Sequence, residues 1–236
     1  MSKDFENIVR LQSYSLSKIT GDTVNNYVRS LVPEKQGFLK DIKDYSDENN
    51  LAIVTPEVGS LLELICRITN PKKIFEVGTC IGYSAFLMKN SCFDIEKITT
   101  VERNPLMYNK AIENIKKYDK DGVINLIIGD ALNILENTDE KFDLVFLDGA
   151  KGQYPNFLPH IERILNDGGI LFADNILFKG MVASDEYLDK RRNKTIVRRI
   201  REFLNKVSRS KSFVTSILPI GDGVAVCLKK EQKDDK

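Results

Sequence analysis

The chain has 236 residues, 35 Lys and Arg against 34 Asp and Glu, a formal net charge of +1 and 42% hydrophobic residues. That length suits one large domain or two small ones, and the near-zero charge excludes a global field drawing the protein to nucleic acid, although charge can still be placed unevenly. Four cysteines without paired spacing, a charged N-terminus and no long apolar run argue against a disulfide framework, a zinc site, a signal peptide and a membrane span. The expectation is a reduced cytoplasmic protein that does not engage a membrane.

Residues 1 to about 70 read as helical. Ile8, Leu11, Tyr14 and Leu16 come first, then the stretch 24–31. Pro33 is placed to start the next helix, with Phe38, Leu39 and Ile42 as its apolar stripe, and Asn49-Asn50 breaks that pattern. Thr55 has the character of an N-cap and Pro56 of a first helical residue, opening a helix that ends before Asn70-Pro71. Most of this segment reads as a cover over a sheet, with the Ile53-Val54-Thr55 corner positioned to close over a ligand.

The stretch 72–84 is the one around which the remaining chain is organised. Ile74, Phe75 and Val77 have strand character, Gly78 and Gly82 break it, and 84–88 turns helix-like. A strand that ends in glycines and feeds a helix lets backbone approach a ligand and offers free N–H groups, though many such turns bind nothing. About two dozen residues later a second strand ends in Glu102, a carboxylate able to take both hydroxyls of a ribose. A dinucleotide loop wants a third glycine where Ser84 stands. Glu76, just before the loop, instead suits a cationic ligand end, which favours S-adenosylmethionine over NAD.

Further strands lie at 123–128, 142–147 and 170–173, the last entered through a turn at Gly168-Gly169. Near-continuous apolar strands between amphipathic helices mean an α/β architecture, a parallel sheet covered on both faces. The stretches 212–218 and 224–228, joined through Pro219-Ile220-Gly221-Asp222-Gly223, add an antiparallel pair. One acidic residue at a strand end is usually a helix cap. Glu76, Glu102, Asp130, Asp148 and Asp174 fall at consecutive strand ends, which in an open parallel sheet share the edge where ligands bind.

Asp148, Asp174 and Asn175 are the sharpest group. Two carboxylates and an amide oxygen suit a hard divalent cation that keeps waters, Mg2+ or similar, with positions open to a substrate hydroxyl. Lys151 has two readings: it takes the substrate proton, or it is a solvated or phosphate-contacting lysine. His160 lies within a predicted helix and reads as a surface or packing residue. From 190 to 211 Glu202 is the only acid among many Lys and Arg, while Ile196, Val197, Ile200, Phe203, Leu204 and Val207 form an apolar stripe. The charged face opposite is either simply solvated or, near the metal edge, suited to phosphates and hence RNA. The loop around Lys179 lies between the two and is placed to cover the substrate.

Glu76-Val77-Gly78-Thr79-Cys80-Ile81-Gly82-Tyr83-Ser84, Gly129-Asp130-Ala131, Asp148-Gly149-Ala150-Lys151 and Asp174-Asn175 resemble the class I S-adenosylmethionine-dependent, metal-dependent O-methyltransferases, which include the catechol and caffeoyl-CoA O-methyltransferases. The resemblance covers about 54–228. Within that group the stretches 151–157, 174–183 and 220–223 are more similar to the bacterial tRNA 5-hydroxyuridine methyltransferases. Gly149 and Cys80 stand where members often have alanine.

The resemblance implies a Rossmann-like, mostly parallel seven-stranded sheet with an antiparallel C-terminal hairpin and a helical N-terminal extension. The division expected is 1–50 for the extension, 51–230 for the methyltransferase domain and 231–236 for a disordered tail. It implies S-adenosylmethionine contacts from Val54, Ser84, Glu102, Asp130, Ala131 and Asp148, with Glu76 and Gly78 joining from the loop itself. Asp148, Asp174 and Asn175 would hold Mg2+, with Lys151 and Asp148 carrying the chemistry. Lys179, Arg191, Arg192, Lys194, Arg198 and Arg199 would meet RNA, and a homodimer is expected by analogy. The implied reaction methylates the 5-hydroxyl of wobble 5-hydroxyuridine in tRNA to give 5-methoxyuridine. A small-molecule O-methyltransferase acting on catechols or CoA thioesters is the alternative, because a 5-hydroxyl beside a 4-carbonyl presents two neighbouring oxygens as a catechol does. A non-catalytic RNA- or cofactor-binding protein is a third reading, against which the complete metal set argues.

Overall fold

A computed structural model describes residues 22–185 and 191–231. The readings of Ile8, Leu11, Tyr14 and Leu16, and of the tail from residue 232, lie outside the described residues. Three helices come first: α1 (Asp22–Ser30), α2 (Phe38–Glu48) and α3 (Pro56–Thr69). Helix α2 starts at Phe38 rather than Pro33, because Gly37 takes φ 62° and ψ −142° just before it. Such a conformation is open to glycine and sets the boundary. Thr55 and Pro56 open α3 as expected, but the Thr55 hydroxyl makes no capping bond. Asn70 closes α3 in the left-handed conformation at φ 43°.

Strands and helices then alternate: β1 (Lys73–Val77), α4 (Tyr83–Ser91), β2 (Lys97–Glu102), α5 (Pro105–Tyr118), β3 (Ile124–Ile128), α6 (Ala131–Asn137), β4 (Phe142–Leu147), a 3-10 turn (Lys151–Gln153) running into α7 (Tyr154–Ile164), and β5 (Leu165–Asp174). Helix α8 (Arg191–Arg209) and the hairpin β6 (Phe213–Leu218) and β7 (Val224–Lys229) complete the chain. The sheet order is β3-β2-β1-β4-β5-β7-β6. Strands β1 to β5 pair in parallel and β7 is antiparallel to both β5 and β6. This is the mostly parallel seven-stranded sheet with an antiparallel closing hairpin that the resemblance implies.

Alternating side chains explain why the inner strands read as continuous apolar runs. In β4, Val145 and Leu147 face one core with α6, α7 and α8, while Leu144 and Phe146 face a second core with α2, α3 and α4. Strand β5 begins at Leu165, five residues before the expected start at Ile170. Its register steps from Phe142↔Leu165 to Leu144↔Ile170, so the expected Gly168-Gly169 turn is an irregularity inside the strand. Gly168, at φ 75°, supplies the conformation it needs. None of the described helices is long and apolar enough to cross a membrane.

One ionisable group sits in the centre of β1. Glu76 is fully buried, and its carboxylate accepts hydrogen bonds from the Ser84 and Thr100 hydroxyls. The Thr100 hydroxyl in turn meets that of Thr79 at 2.5 Å, joining β1, β2 and the glycine loop through polar contacts. Burial pushes the Glu76 carboxyl up from 4.5 to about 7, against the two hydroxyl bonds that pull it down. A raised folded-state value means the proton binds more tightly in the native protein. The associated stability is fully present below about pH 4.5 and is lost as pH rises through about 7. Glu76→Gln is therefore expected to flatten the fall in unfolding free energy between pH 5 and pH 8 by about 2 kcal/mol. Denaturant titrations of both proteins across that range check this; parallel profiles would contradict it.

Candidate active site

The chain lays β1, β2 and β3 outward in one direction, then places β4 on the other side of β1. The two halves diverge between β1 and β4, the position where open α/β sheets bind ligands beyond the strand carboxyl ends. A cavity of about 790 Å³ lies there. Its floor is drawn tight by glycine: a Cβ on Gly78, at φ 102°, would lie 2.8 Å from the Asp148 carbonyl oxygen. No other residue fits that approach of β1 to the end of β4.

On the β1–β3 side, Val54, Gly78, Glu102, Asp130 and Ala131 line the cavity together. The Glu102 carboxylate is fixed from two directions, accepting the Cys80 amide at 2.9 Å and the Asn104 amide at 2.7 Å. Its remaining lone pairs are available to a ligand. Asp130 does both things weighed for an acidic strand end: it caps α6 by accepting the Leu132 amide at 2.9 Å, and it lines the cavity. Glu76 and Ser84 are placed otherwise. Both are buried, and their side chains are bonded to each other beneath the loop, outside the cavity wall. In this structure Glu76 is a support of the glycine loop rather than a group facing the ligand space, because its oxygens are taken by Ser84 and Thr100.

Asp148, Lys151, Asp174 and Asn175 line the β4–β5 side. Leu147 and Ala173 are registered partners, so Asp148 and Asp174 stand one step beyond them on neighbouring strands. Burial pushes Asp148 up to about 6, against the pull of Lys151. Burial also raises Asp174 well above the usual carboxylate range, and the nearby charge of Asp148 raises it further. Ala150, at φ 53°, reverses the chain into the 3-10 turn and brings Lys151 Nζ to 3.9 Å from Asp148 Oδ1. Among the described residues no three His, Cys, Asp or Glu side chains gather as a metal-binding cluster. The expected set is two carboxylates and an amide, a donor set of oxygens only, which is the chemistry a hard cation asks for.

Two further residues brace the cavity, and the sequence attaches no role to either. Tyr154 is fully buried, and its hydroxyl lies 3.0 Å from the Leu147 carbonyl and 3.1 Å from that of Asp174, spanning the ends of β4 and β5. Arg29 of α1 makes a two-point ion pair with buried Glu57 at the start of α3, at 2.9 and 2.8 Å, along the cavity rim. A tyrosine reads as core and an arginine as surface, so only tertiary placement reveals either role.

The basic helix divides. Val197, Ile200, Phe203 and Val207 are buried as the stripe predicts. Lys194 and Arg198 are exposed, and Lys179 lines the cavity. Arg191 and Arg192 open α8, and their side chains lie outside the described residues. Arg199, expected to meet RNA, is committed internally: Nε donates to the Gly152 carbonyl at 3.1 Å, Nη1 bonds Glu202 at 2.7 Å and Nη2 bonds Asn156. It braces the turn that carries Lys151, so its guanidinium is not free for a phosphate. Arg201 likewise ties the loop after β5, donating to the Val182 carbonyl at 2.9 Å and to Asp185 at 2.6 Å.

Comparison with known proteins gives one consistent result. A family model described as O-methyltransferase matches residues 30–230. A caffeoyl-CoA O-methyltransferase of Stellaria longipes is 29% identical over 228 residues, covering 92% of this chain and 91% of its own. A crystal structure from Staphylococcus aureus is 28% identical with a TM-score of 0.81, covering 88% of this chain and 100% of that one. The SAH-bound methyltransferase PaMTH1 of Podospora anserina is 25% identical with a TM-score of 0.78, covering 89% of this chain and 95% of that one. With the sheet, the switch-point cavity and a match running through nearly all of them, the chain belongs to the O-methyltransferase family.

Proposed function

We propose that the protein transfers the methyl group of S-adenosylmethionine to one oxygen of a small acceptor bearing two neighbouring oxygens, a catechol or a catechol-type CoA thioester. The observation that carries this reading is the convergence of Asp148, Asp174, Asn175 and Lys151 at the end of a cavity whose other side holds Glu102 and the glycine loop. Support comes also from the relatives: the Stellaria longipes protein is a caffeoyl-CoA O-methyltransferase, and the Podospora anserina structure holds SAH.

Glu102, held by the Cys80 and Asn104 amides, binds the ribose hydroxyls, and Val54, Gly78, Asp130 and Ala131 enclose the rest of the cofactor. Asp148, Asp174 and Asn175 would hold a divalent cation such as Mg2+. Two carboxylates raised by burial, with Lys151 as a near opposite charge 3.9 Å from one of them, fit a cation better than they fit each other. When bound, such a cation makes an acceptor hydroxyl more acidic and orients it. Lys151, in its neutral form, receives the departing proton and passes it to solvent. The acceptor oxygen then forms a bond to the methyl carbon as the carbon–sulfur bond breaks, and sulfur leaves as the neutral thioether. No protein nucleophile is required.

The tRNA reading has a specific observation in its favour. Exposed Lys194 and Arg198 lie on the helix that Arg199 hooks to the Lys151 turn, giving a cationic strip beside the site. Incubation with labelled S-adenosylmethionine and Mg2+ separates the two. Transfer to a catechol or to caffeoyl-CoA, abolished by chelator, is expected, with catechol methylation insensitive to Lys194→Glu with Arg198→Glu. Transfer confined to 5-hydroxyuridine-bearing tRNA and lost on that charge reversal would move the acceptor to RNA.

Within the site, Asp174→Ala is expected to lower kcat/KM by about 100-fold or more, because it removes one of two cation-binding carboxylates. Lys151→Met is expected to lower kcat by about 100-fold or more with little change in cofactor KM, the size of a lost proton acceptor. Steady-state kinetics check both, and wild-type kcat in Lys151→Met would leave Lys151 a merely solvated lysine.

A further inference from the structure

The loop after β5 carries three non-glycine residues in the left-handed backbone region: Asn175 at φ 57°, Phe178 at 45° and Lys179 at 61°. L side chains rarely adopt that conformation, so surrounding contacts must impose it. Those contacts come from the hairpin turn between β6 and β7. The Ile176 amide donates to the Gly223 carbonyl at 3.0 Å and the Leu177 amide to the Asp222 carbonyl at 2.9 Å. The Lys179 amide donates to Asp222 Oδ1. Asp222 therefore holds the loop by main chain and by side chain at once.

The turn is itself locked in place. A Cβ on Gly223 would lie 2.3 Å from Leu177 Cγ, and one on Gly221 would lie 2.7 Å from Val58 Cγ2 of α3. Gly221 and Gly223 take φ 57° and 85°. The turn is thus wedged between the loop that leads on from Asp174-Asn175 and the start of α3, which forms the opposite wall. The Asp222 carboxylate also lines the cavity. Its charge lies close enough to add to the rise of the Asp174 carboxyl, so Asp222 neighbours the Asp148–Asp174 pair while gripping the loop beyond it.

We propose that Asp222 is a positioning residue: by accepting the Lys179 amide it fixes the loop that presents Asp174 and Asn175 to the site. The metal part of this inference rests on the reading of Asp148, Asp174 and Asn175 as a cation site; the part concerning the loop does not. Sequence alone offers Asp222 as a turn former within the 220–223 stretch of the resemblance and attaches no role to it, since aspartate between two glycines is common turn chemistry.

The test uses full-length protein with Asp222→Ala and Asp222→Asn, the second of which keeps an acceptor oxygen at the same place. Amide hydrogen exchange is read for residues 176–180 without metal, and Mn2+ binding is read by electron paramagnetic resonance. The Lys179 amide is expected to be protected in the wild type. Asp222→Ala is expected to speed its exchange at least tenfold and to weaken Mn2+ binding by about tenfold or more, while Asp222→Asn stays within about threefold on both. Cofactor affinity measured without metal is expected to stay within about twofold in both variants, which separates loop positioning from general loss of fold. An unprotected Lys179 amide in the wild type overturns the proposal without reference to any variant. So does wild-type exchange and Mn2+ binding in Asp222→Ala, or equal loss in both variants, which would make the charge itself the active feature. Should the wild type bind no Mn2+, the metal reading fails and the exchange data alone decide the role of Asp222.

Discussion

Two carboxylates brought to one corner, Asp174 buried and Asp148 half-buried, are the constraint around which this molecule is arranged. Asp148 and Asp174 come directly after the registered pair Leu147 and Ala173, so the pairing of β4 with β5 fixes their separation before any side chain is considered. Like charges there repel, and burial makes both costlier still. Lys151 offsets part of this cost as a counter-charge, and the rest is met by structure. The Tyr154 hydroxyl spans the two strand ends, Gly78 lets β1 approach the end of β4, and the Ile220–Gly223 turn grips the loop beyond Asn175. Holding unfavourable groups in place in this way is what the proposed cation site would require.

A second carboxylate system, on β1, serves a different end. Glu76 lies in the core, satisfied by hydroxyls from β2 and from the start of α4. It pins the glycine loop to the sheet from below, while Glu102 pins the same loop from the side through the Cys80 amide. The cofactor side of the cavity is therefore rigid through polar contacts. The acceptor side is built from longer loops tied by Arg199 and Arg201 of α8.

Much of this is legible in the sequence because it rests on local pattern. Apolar runs bounded by glycine mark the strands, their acidic ends mark one edge of the sheet, and the order of Asp148, Lys151, Asp174 and Asn175 marks the site. The features hidden from sequence depend on residues distant in the chain. Glu76 looks ligand-facing by its place before Gly78, yet Thr100, on the next strand, occupies it. Arg199 looks like one of many cations on a basic face, yet Gly152 and Asn156 lie within its reach. The start of β5 at Leu165 is masked by Gly168-Gly169, which mark an irregularity inside a strand as readily as a turn between elements. Tyr154 and Asp222 lie in stretches that carry the resemblance, but their roles exist only once β4, β5 and the hairpin are assembled.

The central claim is that Asp148, Asp174 and Asn175 form one cation site beside the cofactor. Anomalous diffraction at the manganese edge, from crystals grown with Mn2+ and S-adenosylhomocysteine, tests that directly. A single strong peak within coordination distance of oxygens from all three residues, with the cofactor against Glu102, is the predicted result. Cofactor bound in the cavity with no manganese at those three side chains would contradict it.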